Sequence, residues 1–390
     1  MLSRRSAVDR TPNALARALE KARREGRGWL DATASNPTAV GLGMPERIVV
    51  EALADPRSAR YEPHPFGLPE ARRAVAEDWL RVDGVAIEPE HVLLVASTSE
   101  AYGLLMHLLA DEGDEWLVPA PSYPLLPHLA RLNGIRLVPY RLAAEDEWRV
   151  DTDSIRRART ARTRALVAVS PNNPTGNYVQ PDELDALASL GLPLVVDEVF
   201  ARYPLREGAR GVPSALLAAR RGAPLVFALS GLSKLAALPQ MKIAWIGVAG
   251  ADDRLVEEAL GRLEVAADAL LSVATPQQLA LRRWLEAADE VRARIGQRCR
   301  SNLAALQAAL EGTAASVLRP QAGWYAVVRV PRIGTDERWA LSLLDRGVLV
   351  HPGYLYDFED DGHLVLGLLS EPAAIDAAAR VLVELMRGLR

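Results

Sequence analysis

The chain has 390 residues, 49% of them hydrophobic and 25% charged, which is enough to bury a large core and to build two domains. Its formal net charge of -4 comes from interspersed acidic and basic residues, which excludes a global pull toward nucleic acid or a membrane surface and points to a small metabolite as partner. The single cysteine, Cys299, excludes an internal disulfide framework and suits a reducing compartment, so the cytoplasm is the expected location.

Residues 1–10 are polar and carry Arg4, Arg5 and Arg10 without an apolar run after them, so no signal peptide is expected. No later segment approaches a membrane-spanning length. From about residue 91 to residue 250, apolar runs alternate with amphipathic stretches, as in a largely parallel sheet covered by helices. Seven strands are expected, over 91–96, 115–118, 136–140, 165–170, 193–199, 225–229 and 243–248. Between 275 and 312 the pattern changes to a long Ala/Leu/Arg-rich helical periodicity with Gly312 as its stop, which reads as a link between domains. Beyond it, strands are expected over 323–330, 347–351 and 363–369, and helices over 335–346 and 372–390. The fold class is therefore α/β, with a large domain built on a mostly parallel seven-stranded sheet and a smaller α+β domain.

The polar motifs fall at strand ends, where ligands collect in such sheets. The segment Ala96-Ser97-Thr98-Ser99-Glu100-Ala101 leads from a strand into a helix. Its first amides can meet an anion at the positive end of the helix dipole, and Ser or Thr ahead of Glu-Ala is equally a capping sequence. Ser170-Pro171-Asn172-Asn173-Pro174-Thr175-Gly176 is a tight turn by its prolines and glycine. Asp197 closes the apolar run Leu194-Val195-Val196, where an ionised carboxylate is costly unless it meets a cation or strong donors. Lys234 lies in Ser230-Gly231-Leu232-Ser233-Lys234, between two apolar runs, with Lys242 eight residues on. A lysine amine can condense with an aldehyde once it has lost its charge, which a cationic and partly desolvated neighbourhood favours.

Taken in order, these motifs resemble the pyridoxal-phosphate aminotransferases of fold type I, class I/II, over nearly the whole chain. The resemblance implies pyridoxal 5'-phosphate as cofactor, with Lys234 as the Schiff-base lysine and acid/base, and Asp197 holding the pyridinium nitrogen protonated. It implies Asn173 as donor to the phenolic oxygen, Tyr123 of Pro121-Ser122-Tyr123-Pro124 stacked on the ring, and Thr98, Ser99, Ser230, Ser233 and Lys242 around the phosphate. Tyr61, in Tyr61-Glu62-Pro63-His64-Pro65-Phe66-Gly67, matches a tyrosine that reaches the neighbouring subunit's cofactor, so a homodimer is expected. Asn36-Pro37-Thr38 resembles a loop at the substrate mouth, which places residues 1–45 with the small domain. The large cofactor domain then covers 46–285 and the small C-terminal domain 286–390.

Four positions depart from the commonest pattern. Phe200 stands where a tyrosine is usual, Gly231 where a phosphate-binding serine is frequent, and Lys242 where an arginine is usual. In His363-Leu364-Val365-Leu366-Gly367, Leu364 takes the place of the arginine that clamps a substrate carboxylate, and Arg329 is one candidate substitute. The resemblance implies a ping-pong aminotransferase acting on an amino donor and a keto acceptor. Leu364 keeps open another reaction on the same cofactor, such as an elimination, a decarboxylation or a carbon-carbon bond-forming synthesis. A non-catalytic regulator on this fold is disfavoured, because no basic recognition helix precedes the family's own N-terminal segment. Six scattered histidines and no Cys/His spacing predict no metal.

Overall fold

Runs such as Val92-Leu93-Leu94-Val95 and Val226-Phe227-Ala228-Leu229 have no polar face to give to water, so they fold only where both sides of a sheet are covered. The computed structural model, which describes residues 2–144 and 147–388, buries them in that way. Its strands, in chain order, are β1 (Leu30–Asp31), β2 (Val92–Val95), β3 (Glu115–Ala120), β4 (Arg136–Ala144), β5 (Trp148–Val150), β6 (Thr163–Val169), β7 (Leu194–Asp197), β8 (Val226–Gly231), β9 (Ala244–Ala249), β10 (Ser316–Val317), β11 (Tyr325–Arg329), β12 (Val348–Leu349), β13 (His351–Pro352) and β14 (His363–Gly367).

The large sheet runs β2-β9-β8-β7-β6-β3-β4-β5. The pairings from β8 through β7, β6 and β3 to β4 are parallel, whereas β9 runs against both β2 and β8. All seven expected strands are present. The eighth, β5, pairs antiparallel with the end of β4 and was not expected. With three residues and one aromatic anchor, Trp148, it is too short to register as an alternating pattern.

The 36-residue helix Thr275–Leu310 packs against the helices Glu46–Leu53, Pro69–Asp78 and Pro372–Arg387. Cys299 lies on its buried face. The Arg-rich stretch 282–300 is not wholly a solvated face, since Arg292 is buried, its guanidinium bound to Asp289. A smaller antiparallel sheet, β10-β11-β14-β13, follows, and β1 pairs parallel with β12, which draws residues 30–31 onto the C-terminal part of the chain. The helix expected over 372–390 is observed over Pro372–Arg387, and residues 389 and 390, like Met1, lie outside the described residues.

Two local devices hold the loops at the sheet's carboxyl edge. Gly176 has φ of +74°, and a Cβ there would lie 2.6 Å from the carbonyl oxygen of Ala322, so only glycine fits. Its own carbonyl accepts from the amides of Gln321 and Ala322 at 2.9 Å each, which docks the 172–176 turn against the approach to β11. Behind β7, the largely buried Arg202, its side chain 11% exposed, donates to Asp78 at 2.6 Å and to Asp83 at 2.7 Å, tying the segment after Asp197 to the helix Pro69–Asp78. Such a buried pair resists the loss of either partner, because the survivor would be an uncompensated charge.

Candidate active site

Parallel strands bring their carboxyl ends to one edge, and the loops that follow β2, β6, β7 and β8 open there into a cavity of about 320 Å³. Its walls include Thr98 and Ser99, Asn173, Asp197, Ser233 and Lys234, with Tyr123 and Lys242. Eight of the ten residues expected at the site therefore meet in one place.

Asp197 ends β7 with its carboxylate held from two sides. The Val199 amide donates to Oδ1 at 3.1 Å, and the Tyr102 hydroxyl donates to Oδ2 at 3.4 Å. Burial nonetheless dominates these donors and the nearby Lys234, and it pushes the carboxyl up to about 6. Lys234 is shifted the other way: burial lowers its pKa, and Asp197 opposes the shift. Its Nζ lies 5.3 Å from the ring centre of Trp324 and 5.8 Å from that of Phe200. The Tyr203 hydroxyl donates to the Lys234 carbonyl at 2.6 Å and so fixes the backbone that carries the amine.

The helix Thr98–Leu109 begins at the cavity wall. Ser97 caps it by accepting from the Glu100 amide at 3.2 Å, and the Glu100 carboxylate accepts from the Ala96 amide at 2.6 Å. The amides of Thr98 and Ser99, in the first turn, have no acceptor within the helix and are available to an anion. Lys242 reaches the same end of the cavity, because Val95 of β2 and Ala244 of β9 are paired in register and the two loops leave the sheet side by side. Asn173 is 5% exposed and its Oδ1 has no partner. Its neighbour Asn172 donates to the Pro121 carbonyl at 3.0 Å and to Thr175 Oγ1 at 2.8 Å, which keeps the turn rigid. Tyr123, 47% exposed, stands over the opening.

Two expected residues are elsewhere. Ser230 faces a different hollow, shared with Asp78, Glu198 and Arg202, because side chains alternate along β8 and Gly231 takes the cavity side. A serine cannot replace Gly231 without displacement, since a Cβ there would lie 2.7 Å from that of Ala244. Tyr61 is 79% exposed and lines a separate hollow with His64, Glu100, Leu270 and Leu271.

Neither residue considered for the substrate-arginine position lines the cavity. Leu364 is fully buried in β14, between Val328 and Pro352 of the neighbouring strands, away from the cavity walls. Arg329 does not substitute for it. It lies four residues beyond Tyr325 on β11, roughly 13 Å along the strand, and lines another cavity with Arg332, Asp360 and His363. The cavity wall also includes Ser35 and Tyr325, neither of which the sequence had singled out. Tyr102 was missed as well, although it sits one helical turn after Thr98 and Ser99 and so shares their face. Ser35 adjoins the flagged Asn36-Pro37-Thr38 segment, whereas nothing in the local pattern distinguishes Tyr325 from a core residue.

The raised pKa of Asp197 has a consequence for stability. Its folded value of about 6 exceeds the ordinary 3.8, so its contribution is fully present below pH 3.8 and is lost as pH rises through 6, on the order of 3 kcal/mol. For the protein without cofactor, Asp197→Asn is therefore expected to be the more stable form above pH 6, with the gap closing toward pH 4. Thermal unfolding of both proteins across that range checks this; a constant gap refutes it.

Comparison with known proteins bears on this geometry. The family model described as aminotransferase class I and II matches residues 15–381. The aspartate/prephenate aminotransferase of Thermus thermophilus is 31% identical over 380 residues, covering 94% of each chain. An alanine aminotransferase from Pyrococcus furiosus superposes with a TM-score of 0.88 at 25% identity, covering all of both chains. A double mutant of the Thermus thermophilus aspartate aminotransferase superposes with a TM-score of 0.84 at 28% identity, covering 98% of this chain and all of that one.

Proposed function

This chain belongs to the class I and II aminotransferases, and we propose that the cavity around Lys234 and Asp197 is where it moves an amino group between an amino donor and a keto acceptor. It is a pyridoxal-phosphate-dependent transferase. The residues suit that cofactor. The amides of Thr98 and Ser99, with Ser233 and Lys242, would hold the phosphate, and Tyr123 would pack against the ring. The orphaned Asn173 Oδ1 marks a polar position awaiting a partner. Asp197, buried and pushed up to about 6, has the environment of a carboxylate that gains by meeting a cationic N–H.

When bound, pyridoxal 5'-phosphate supplies an aldehyde that captures the amine and a ring that takes up the electron pair left on the amine-bearing carbon. The chain's part is to hold charge and move a proton. Asp197, fixed in orientation by Val199 and Tyr102, would supply the negative charge that keeps the ring nitrogen protonated. Lys234, whose lowered pKa enlarges its neutral share, accepts the proton from the amine-bearing carbon and returns it on the other side of the exchange. Phe200 and Trp324 keep the water around its amine sparse.

The single observation that carries this reading is the convergence of Lys234, Asp197, Asn173 and the Thr98–Leu109 helix start on one cavity. The relatives named above are aminotransferases, which supports transamination rather than elimination, decarboxylation or synthesis. With a competent donor and no acceptor, one amino group per site is expected to transfer, and continued turnover to require a keto acceptor. Ammonia released over many turnovers without acceptor would overturn it.

The reading extends to the assembly. Exposed Tyr61, with Leu270 and Leu271 beside it, suits a homodimer in which Tyr61 reaches the neighbouring site. We place the large cofactor-binding domain at 46–285 and the small domain at 286–390 with residues 1–45. No helix among the described residues is long and apolar enough to cross a membrane, and with one buried cysteine the cytoplasm is the proposed compartment.

A further inference from the structure

The charge of the cavity is distributed unevenly. Among its described lining residues the cations are Lys234 and Lys242. Lys242 stands beside the Thr98–Leu109 helix start, and Lys234 stands near Asp197, which offsets it. Beside Lys234 the wall is neutral, with Phe200, Ser35, Asn173 and Tyr325 among its residues. Phe200 packs edge-on against Trp324 and Tyr325, with ring centres 5.2 and 6.1 Å apart. Tyr325 is buried, which pushes its phenol up to about 12, so it is a neutral hydroxyl, with Ser35 and Asn173 as its polar neighbours. Asn173 adds a carboxamide, more than nine-tenths buried, with an unpartnered oxygen.

A free carboxylate entering against this wall would lose its water without a guanidinium to receive it, and the one amine near the wall, Lys234, is already offset by Asp197. A hydroxyl or carboxamide loses less on desolvation and finds both donors and acceptors in Tyr325, Ser35 and Asn173. The guanidinium of Arg202, two residues after Phe200, is held by Asp78 and Asp83, that of Arg329, four residues after Tyr325, lines a different cavity, and Leu364 is sealed within the small sheet. We propose that this site prefers substrates whose amine-bearing carbon carries a neutral polar group, a hydroxymethyl or a carboxamide, over those that carry a free carboxylate. The proposal rests on the aminotransferase reading and names the substrate class of that site. The half-reaction with a keto acid then has the lower kcat/KM of the two, and the aromatic wall favours an apolar side chain on the neutral partner.

The test uses the cofactor-loaded enzyme in its native assembly, so that any cation brought by a second copy of the chain is present. Leucine, leucinol and leucinamide differ only in the head group, as do phenylalanine, phenylalaninol and phenylalaninamide. Single-turnover conversion, followed by the cofactor's absorbance, is expected to be at least tenfold more efficient with the better neutral member of each set than with the carboxylate. The amine-free pair 4-methylpentanamide and 4-methylpentanoate, titrated by tryptophan fluorescence with Trp324 beside the amine, is expected to bind in the same order. In Tyr325→Phe the neutral preference should shrink toward unity, and a preference unchanged by that substitution removes Tyr325 as the recognising group. Carboxylates that react at least as efficiently, with the pentanoate binding more tightly, would overturn the proposal. Ammonia release without acceptor would instead be a failure of the aminotransferase reading, and the affinities of the amine-free pair would still decide the head group.

Discussion

Lys234→Ala is expected to lower turnover by on the order of 10⁴-fold or more, the combined loss of a covalent anchor and of a general acid/base. The amine is well placed for both tasks. It lies in the short helical turn Leu232–Leu235 that follows β8, with its carbonyl fixed by Tyr203, and its pKa is lowered by burial beside Phe200 and Trp324. The visible absorbance that depends on a covalent link to the protein should disappear with it. Folding is not expected to suffer, because the substitution removes a desolvated amine from the cavity wall and leaves the Trp324 contacts with Phe200 and Tyr203 in place. Unchanged thermal stability of the cofactor-free variant, together with lost turnover, locates the effect in the chemistry. A variant that turns over within tenfold of the parent would remove Lys234 from the mechanism.

Asp197→Ala should rank second, with kcat lower by about 10²–10³-fold, the usual scale for deleting one preorganised electrostatic partner of the reacting group. On the proposed role of Asp197, neutral alanine would leave the cofactor's ring nitrogen without a counter-charge, and it leaves the Tyr102 hydroxyl and Val199 amide without their shared acceptor. Asp197→Glu should recover part of the rate, since it restores the charge at a displaced position. Measuring kcat and KM separately distinguishes this role from packing: loss confined to KM in the alanine variant would show that Asp197 only helps to bind. Asp197→Asn should be catalytically poor yet more stable than the parent without cofactor above pH 6, a divergence that a merely structural residue would not produce.

Much of the site was legible because its chemistry is local. Thr98 and Ser99 follow a strand and open a helix; Asn173 lies in a turn forced by its prolines and Gly176; Asp197 ends an apolar run; and Lys234 follows another. Each signal spans fewer than about ten residues, the range over which periodicity, turn chemistry and capping act. Ser230 lies off the cavity for the complementary reason. Which of two adjacent residues faces the cavity depends on the pleat of β8 and on Ala244 packed against Gly231, and a motif does not encode that register.

The same division applies to the chain as a whole. Apolar runs alternating with amphipathic stretches are written in the order of residues, so the α/β class, the seven long strands, the long helix and the lysine-aspartate pair could be read without coordinates. The three-residue β5, the pairing of β1 with β12 and the meeting of Ser35, Tyr102 and Tyr325 at one cavity could not. These depend on contacts between residues up to some three hundred positions apart, where the local pattern is silent and only packing decides. The departure at Leu364 was visible in the sequence. That Leu364 lies buried in β14, off the cavity, and that the cavity's own wall includes the neutral Ser35 and Tyr325, came from the tertiary structure, because a side chain's charge acts through space and not along the chain.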